Sequence, residues 1–125
     1  QMLLNRGEYG GVQLIAPKTL DLMTANHLPD GKDLTQLSRS LFSEATNAGV
    51  GFGLGFAVVQ DAPRTLVPCS DGEFYWRGAA STAFWVDPAE DLSVVFMTQV
   101  LPSSAYPIRR ELRTLVYSAL IEPAV

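Results

Sequence analysis

Side chains able to do covalent chemistry are sparse in this chain, so each can be weighed singly. One histidine, His27, and one cysteine, Cys69, exclude any site that needs two imidazoles, a disulfide framework or a thiolate metal cluster from one chain. No serine is followed three residues later by lysine, and no Gly-x-Ser-x-Gly elbow occurs, so two frames that activate a serine are missing. His27 follows an expected helix and could serve as a base. No nucleophile pattern accompanies it, and a solvated loop histidine is the plainer reading. Cys69, between Pro68 and Ser70, has no basic neighbour to lower its pKa and reads as an inert thiol. Asp61, Asp71 and Glu73 could be imagined as metal carboxylates, but scattered loop acids are usually solvated; neither a metal nor another cofactor is expected. Gly49, Gly51, Gly53 and Gly55 do not match Gly-x-Gly-x-x-Gly and fall within a strand pattern, which argues against a phosphate loop.

One segment stands apart. Phe74-Tyr75-Trp76-Arg77 is followed by the small residues Gly78-Ala79-Ala80-Ser81, and then by a second aromatic stretch, Ala83-Phe84-Trp85-Val86. The small residues let a second backbone or a ligand approach a strand edge closely. A tight hairpin-like bend would explain them equally well.

The elements that must carry these residues follow from periodicity. Met2 to Leu4 before Gly7 reads as a last helical turn closed by a glycine cap, which leads to the expectation of a longer parent. Tyr9-Gly10-Gly11 marks a turn, Val12 to Ile15 a short strand, and Pro17 the first turn of a helix reaching about Asn26. His27 to Ala48 reads as a long loop, with Pro29-Asp30-Gly31 as a turn and one short helical stretch around Leu34 to Leu41. From Gly51 to Val58 large and small residues alternate, which predicts one strand whose bare glycine side is closely covered by another element. Further strands are expected from Glu73 through Trp76, from Ala83 to Val86 and from Leu92 to Thr98. The last of these is apolar on both faces, which predicts an interior position. Ile108, Leu112, Leu115, Val116, Ala119 and Leu120 recur at helical spacing, with Arg109, Arg110, Glu111 and Arg113 mostly on the opposite face; Pro107 and Pro123 bracket the helix. The expected fold class is α+β, an antiparallel sheet flanked by helices and ending in a long amphipathic helix.

Composition sets the outer limits. The 125 residues are 47% hydrophobic and 18% charged, which excludes disorder as the overall state and suits one domain over 1–125. A net charge of −4 argues against nucleic acid as a partner. No apolar run reaches the length of a membrane span, and the first residues lack the features of a signal peptide. With the free cysteine this leans towards the cytoplasm, although a truncated chain would have lost any signal.

The order of several motifs resembles the serine β-lactamase-related hydrolases: class C-type β-lactamases, penicillin-binding-protein-like enzymes and related esterases. The resemblance runs through Met2-Leu3-Leu4-Asn5-Arg6-Gly7-Glu8, Leu14-Ile15-Ala16-Pro17-Lys18-Thr19 and Met23-Thr24-Ala25-Asn26-His27-Leu28. It continues in Gly51-Phe52-Gly53-Leu54-Gly55-Phe56, Trp76-Arg77-Gly78-Ala79-Ala80, Phe84-Trp85-Val86-Asp87-Pro88 and Phe96-Met97-Thr98-Gln99, and ends in Arg113-Thr114-Leu115-Val116-Tyr117. It implies the C-terminal portion of such an enzyme, without the half that carries the Ser-x-x-Lys nucleophile and the tyrosine base. Trp76-Arg77-Gly78 would then stand for the third, Lys-Thr-Gly-type motif in its Trp-Gly-Gly form, and these three residues would contact substrate. The family pattern implies that Gly78 lets a substrate carbonyl approach and that the Ala79 N–H is one of two oxyanion donors, a class of group worth about 3–4 kcal/mol. Arg77 replaces a usual small residue and Ser81 a usual glycine. That arginine would either bind a substrate carboxylate or mark a copy relieved of catalysis. The implied partners are a small-molecule ester or amide in the parent enzyme, and a missing N-terminal half or a second copy of the chain.

Overall fold

The computed structural model describes residues 1–37, 47–103, 105–122 and 124. The chain is α+β. A hairpin of β1 (Glu8–Tyr9) and β2 (Val12–Gln13) precedes α1 (Pro17–Met23), a 3-10 turn at Pro29–Gly31 and α2 (Leu34–Leu37). Strands β3 (Val50–Phe52) and β4 (Ala57–Val59), the short helix α3 (Ala62–Thr65), strands β5 (Phe74–Arg77), β6 (Ala83–Asp87) and β7 (Leu92–Phe96), and helix α4 (Ile108–Ser118) follow. Strands β3 to β7 form one antiparallel sheet in sequence order.

Local chemistry explains the opening elements. Gly10 and Gly11, at φ +60° and +80°, allow the two-residue turn between β1 and β2. Before it, the Gly7 N–H donates to Met2 O and the Arg6 N–H to Leu3 O, which closes a helical turn. The left-handed residue there is Arg6 as well as the expected Gly7 (φ 56° and 95°). Gly7 is required because a Cβ would meet Ile15 O at 1.9 Å. Pro17 opens α1 as expected. Helix α2 starts in a reciprocal cap: the Gln36 N–H donates to Asp33 Oδ1, and the Asp33 N–H to Gln36 Oε1. The expected helical stretch to Leu41 is seen over Leu34–Leu37; residues 38–46 lie outside the described residues.

Three expectations are corrected. The alternating stretch from Gly51 to Val58 is two strands, with Gly51 paired to Val58 and Phe52 to Ala57. The reversal passes through Gly55 at φ +98°, and the Gly53 N–H donates to Phe56 O. Alternation of side chains continues through a tight turn, so period two alone does not reveal it. The bare side is closely covered nonetheless: a Cβ on Gly53 would meet Met23 O at 2.0 Å, and one on Gly51 the Asn26 side chain at 2.4 Å.

Strand β7 is an edge strand among the described residues and not an interior one. Its apolar Val95 is 71% exposed. The third correction concerns α4, whose sheet-facing side carries Arg109, Arg113 and Tyr117, while Leu115 is 67% exposed. Polar anchors on the sheet select this arc of the helix over a purely apolar one.

The sheet is covered on both faces. Val58, Phe74 and Val86 pack with Leu3, Leu4 and Phe56 on one side. Helix α4 lies against the other, with the Arg113 guanidinium about 5 Å from the ring centres of both Tyr75 and Trp85. No helix among the described residues is long and apolar enough to cross a membrane.

Candidate functional site

Strands β5 and β6 pair from Phe74↔Val86 to Arg77↔Ala83, so residues 78–82 are the loop of a hairpin. The small-residue run is therefore the bend that the sequence left open as the plainer alternative. Its geometry is more specific than a plain turn. The Gly78 N–H donates to Thr82 O, and the Ser81 N–H to Gly78 O. A Cβ on Gly78 would meet Thr82 Oγ1 at 2.4 Å, so the loop's own return is enough to require glycine there. Ser81 adopts φ +70°, a conformation in which glycine is the easy choice. It is held there because its buried hydroxyl donates to Val100 O at 2.7 Å, while the Val100 N–H donates to Ala80 O.

A second clamp comes from α4. Arg109 Nη2 donates to both Gly78 O (2.6 Å) and Thr82 O (3.0 Å), which fixes the two ends of the loop to each other. Between these anchors Ala79 is exposed, and its N–H makes no hydrogen bond among the described residues. The register carries β4 no farther along β5 than Tyr75, so Trp76 and Arg77 project past the end of β4. Trp76 packs edge-to-face on Phe52 with ring centres 5.2 Å apart. A groove of about 330 Å³ is lined by Trp76, Arg77, Gly78, Phe84, Val95 and Met97, among others. The structure thus brings Trp76, Arg77 and Gly78 to one groove and leaves Ala79 on the adjoining turn. Arg77 Nη2 donates to Asn47 Oδ1 at 3.2 Å.

The other candidates have structural roles. The His27 ring nitrogen Nε2 lies 2.6 Å from Leu22 O, an arrangement that needs the proton on Nε2 and ties the exposed ring to the end of α1. Cys69 Sγ is 3.3 Å from Thr65 Oγ1, and burial pushes its pKa up, as an inert thiol requires. Gly49, at φ +74°, sits where a Cβ would meet Asp61 O at 2.5 Å, so its role is backbone packing. Asp71 accepts the Ala62 N–H at the start of α3, and Asp61 is half-buried beside it.

Glu73 is not the solvated loop acid expected from its neighbours in sequence. It is fully buried, as is Asp87. Its Oε1 pairs with Arg113 Nη1, and the Tyr117 hydroxyl lies 2.5 Å from Glu73 Oε2 and 2.6 Å from Asp87 Oδ2. One hydroxyl proton can serve only one of those two oxygens at a time. Burial, more than the opposing pull of Arg113, pushes Glu73 up to about 7. In its protonated form Glu73 can donate to Tyr117 while Tyr117 donates to Asp87. Arg113 and Tyr117 are 40 and 44 residues away from Glu73 in sequence, which is why no local pattern announced the cluster.

This sheet, the order of its strands and the closing helix are those of the C-terminal portion of the serine β-lactamase-related fold. No family model matches the chain. Among solved structures it is similar to EstCE1, a hydrolase with promiscuous acyltransferase activity, at 27% identity and a TM-score of 0.69, covering 91% of this chain and 26% of that one. It is also similar in fold to the simvastatin synthase LovD from Aspergillus terreus, at 22% identity and a TM-score of 0.71, covering 97% of this chain and 32% of that one. Among curated sequences it is 32% identical over 105 residues to protein Rv1367c of Mycobacterium tuberculosis, covering 82% of this chain. The chain spans about a quarter of the length of the curated relatives it matches.

Proposed function

We propose that this chain provides the third-motif strand and one oxyanion donor of a β-lactamase-related serine hydrolase, and that residues 1–125 are one part-domain of that enzyme. In the complete enzyme a serine attacks an ester or amide carbonyl, and the acyl-serine is then hydrolysed by water. Trp76 and Gly78 line the acyl side of the site, and the Ala79 N–H stabilises the oxyanion as the carbonyl becomes tetrahedral. The observation that carries this reading is the exposed, unbonded Ala79 N–H on a loop clamped from two sides by Arg109 and Ser81. A donor held without an internal partner is what transition-state stabilisation needs, because no bond must be broken for it to act.

The test is reconstitution. The chain alone should not turn over a chromogenic short-chain ester, and mixing it with the serine-bearing part of a related hydrolase should restore acylation. Serine-dependent hydrolysis by the chain alone, or no acylation from a complex shown to assemble, contradicts the proposal. Replacing Arg77 with glycine should raise the restored acylation if this arginine obstructs the site; an unchanged rate means that it is tolerated.

A second reading has its own support: a binding or self-associating domain that kept the scaffold. Val95 and Met97 leave apolar surface open along β7, at 71% and 78% exposure. On that reading the chain runs as a dimer in size-exclusion chromatography, and reconstitution yields no acyl-enzyme.

A further inference from the structure

A second cavity lies on the opposite face of the sheet, between β3 to β6 and α4. It measures about 70 Å³ and is walled by Val50, Val59 and Val67 on its apolar side. Its polar side consists of guanidinium groups: Arg77, Arg109, Arg110 and Arg113 all line it, and no carboxylate does among the described residues. Arg113 is matched by Glu73. Arg77 has one described bond, to Asn47, and Arg109 uses Nη2 on the loop carbonyls. Burial, and then the charge of Arg77, push Arg109 below its ordinary range.

Among the described residues, two buried N–H groups are also left without an acceptor: Trp85 Nε1 and Arg109 Nε. Trp85 is 98% buried, with 2% of its surface exposed, and both residues line this cavity. Buried donors ordinarily find acceptors, and leaving one unmatched costs about 1–3 kcal/mol. A cavity walled by four guanidinium groups, with no carboxylate among its described lining residues, calls for a small anion rich in acceptor oxygens.

We propose that this cavity binds a short-chain carboxylate. The planar carboxylate matches the guanidinium fork and accepts in several directions at once. A one- or two-carbon tail would meet the three valines, which a phosphate could not use. Space allows it: one water needs about 10–15 Å³ in this measure, and the cavity offers several times that. The proposal does not need the catalytic reading, but the cavity shares Trp76, Arg77, Ala83 and Phe84 with the groove on the other face, and Arg109 also clamps the Ala79 loop.

The indole N–H of Trp85 reports on binding directly. Spectra of the 15N-labelled chain are recorded as sodium acetate replaces sodium chloride at constant ionic strength, with Trp85→Phe identifying the resonance. A saturable displacement of the Trp85 signal is expected, with the amides of β1 and β2, which do not line the cavity, as the comparison. Arg77→Met should weaken binding roughly tenfold, as for loss of one charge-assisted hydrogen bond. Arg77→Lys, which keeps charge and bulk, should weaken it severalfold by losing the fork. A Trp85 signal that does not saturate, or that saturates unchanged in both variants, overturns the proposal. Sodium phosphate that binds as well as acetate overturns the carboxylate assignment.

Discussion

The buried carboxyl of Glu73 makes a prediction about pH. Glu73 sits at about 7 in the folded chain, against 4.5 for an ordinary glutamate, so the folded state holds that proton more tightly than the unfolded state. Its contribution is therefore complete below pH 4.5 and is lost as pH rises through 7, in all about 3 kcal/mol. Asp33 works in the other direction. Burial alone would raise it, but bonds from Thr35, Gly49 and Gln36 and the charge of Arg64 hold it below 3.8, so its contribution fails as acid is added. Urea unfolding should show stability falling between about pH 4.5 and pH 7.5. Glu73→Gln should flatten that fall, because the amide carries no titrating proton. A slope that persists in the variant would assign the titration to another group. Tyr117→Phe removes the hydroxyl between two buried carboxyls and should cost about 1–3 kcal/mol by chemical denaturation.

At the scale of elements, close backbone approach dominates. Gly53 touches the end of α1 so tightly that Gly53→Ala should destabilise the chain by about 1–3 kcal/mol. A melting temperature unchanged by that substitution would mean that the α1–β3 contact is loose. Much of the element order was legible in sequence because it rests on local signals: Pro17 at a helix start, the aromatic runs of β5 and β6, and the spacing of α4. The β3–β4 reversal was hidden because alternation continues through it. The edge position of β7 was hidden because strand order is topological, and an apolar strand looks the same whether its neighbour is present or not. The same limit applies to the site. Trp76, Arg77 and Gly78 are adjacent in sequence and were legible as a motif, whereas Arg109, which clamps their loop, lies 31 residues from Gly78.

For the whole molecule, open apolar surface and the unbonded loop donor point the same way. Val95 and Met97 leave one side of β7 to solvent, so an environment-sensitive dye should bind the chain. Val95→Lys with Met97→Lys should reduce that binding without lowering stability, since neither side chain is buried; unchanged dye binding would place the open surface elsewhere. The reading of the chain as part of an acyl-transfer enzyme depends most on one backbone group. Amide exchange of the 15N-labelled chain tests it, with the Gly78 N–H, bonded to Thr82 O one residue before, as the internal reference. The Ala79 amide should exchange close to the rate of an unprotected amide while Gly78 is slowed. An Ala79 amide protected as strongly as those of β5 and β6 would mean that its N–H is already committed within the fold and is not waiting for an oxyanion.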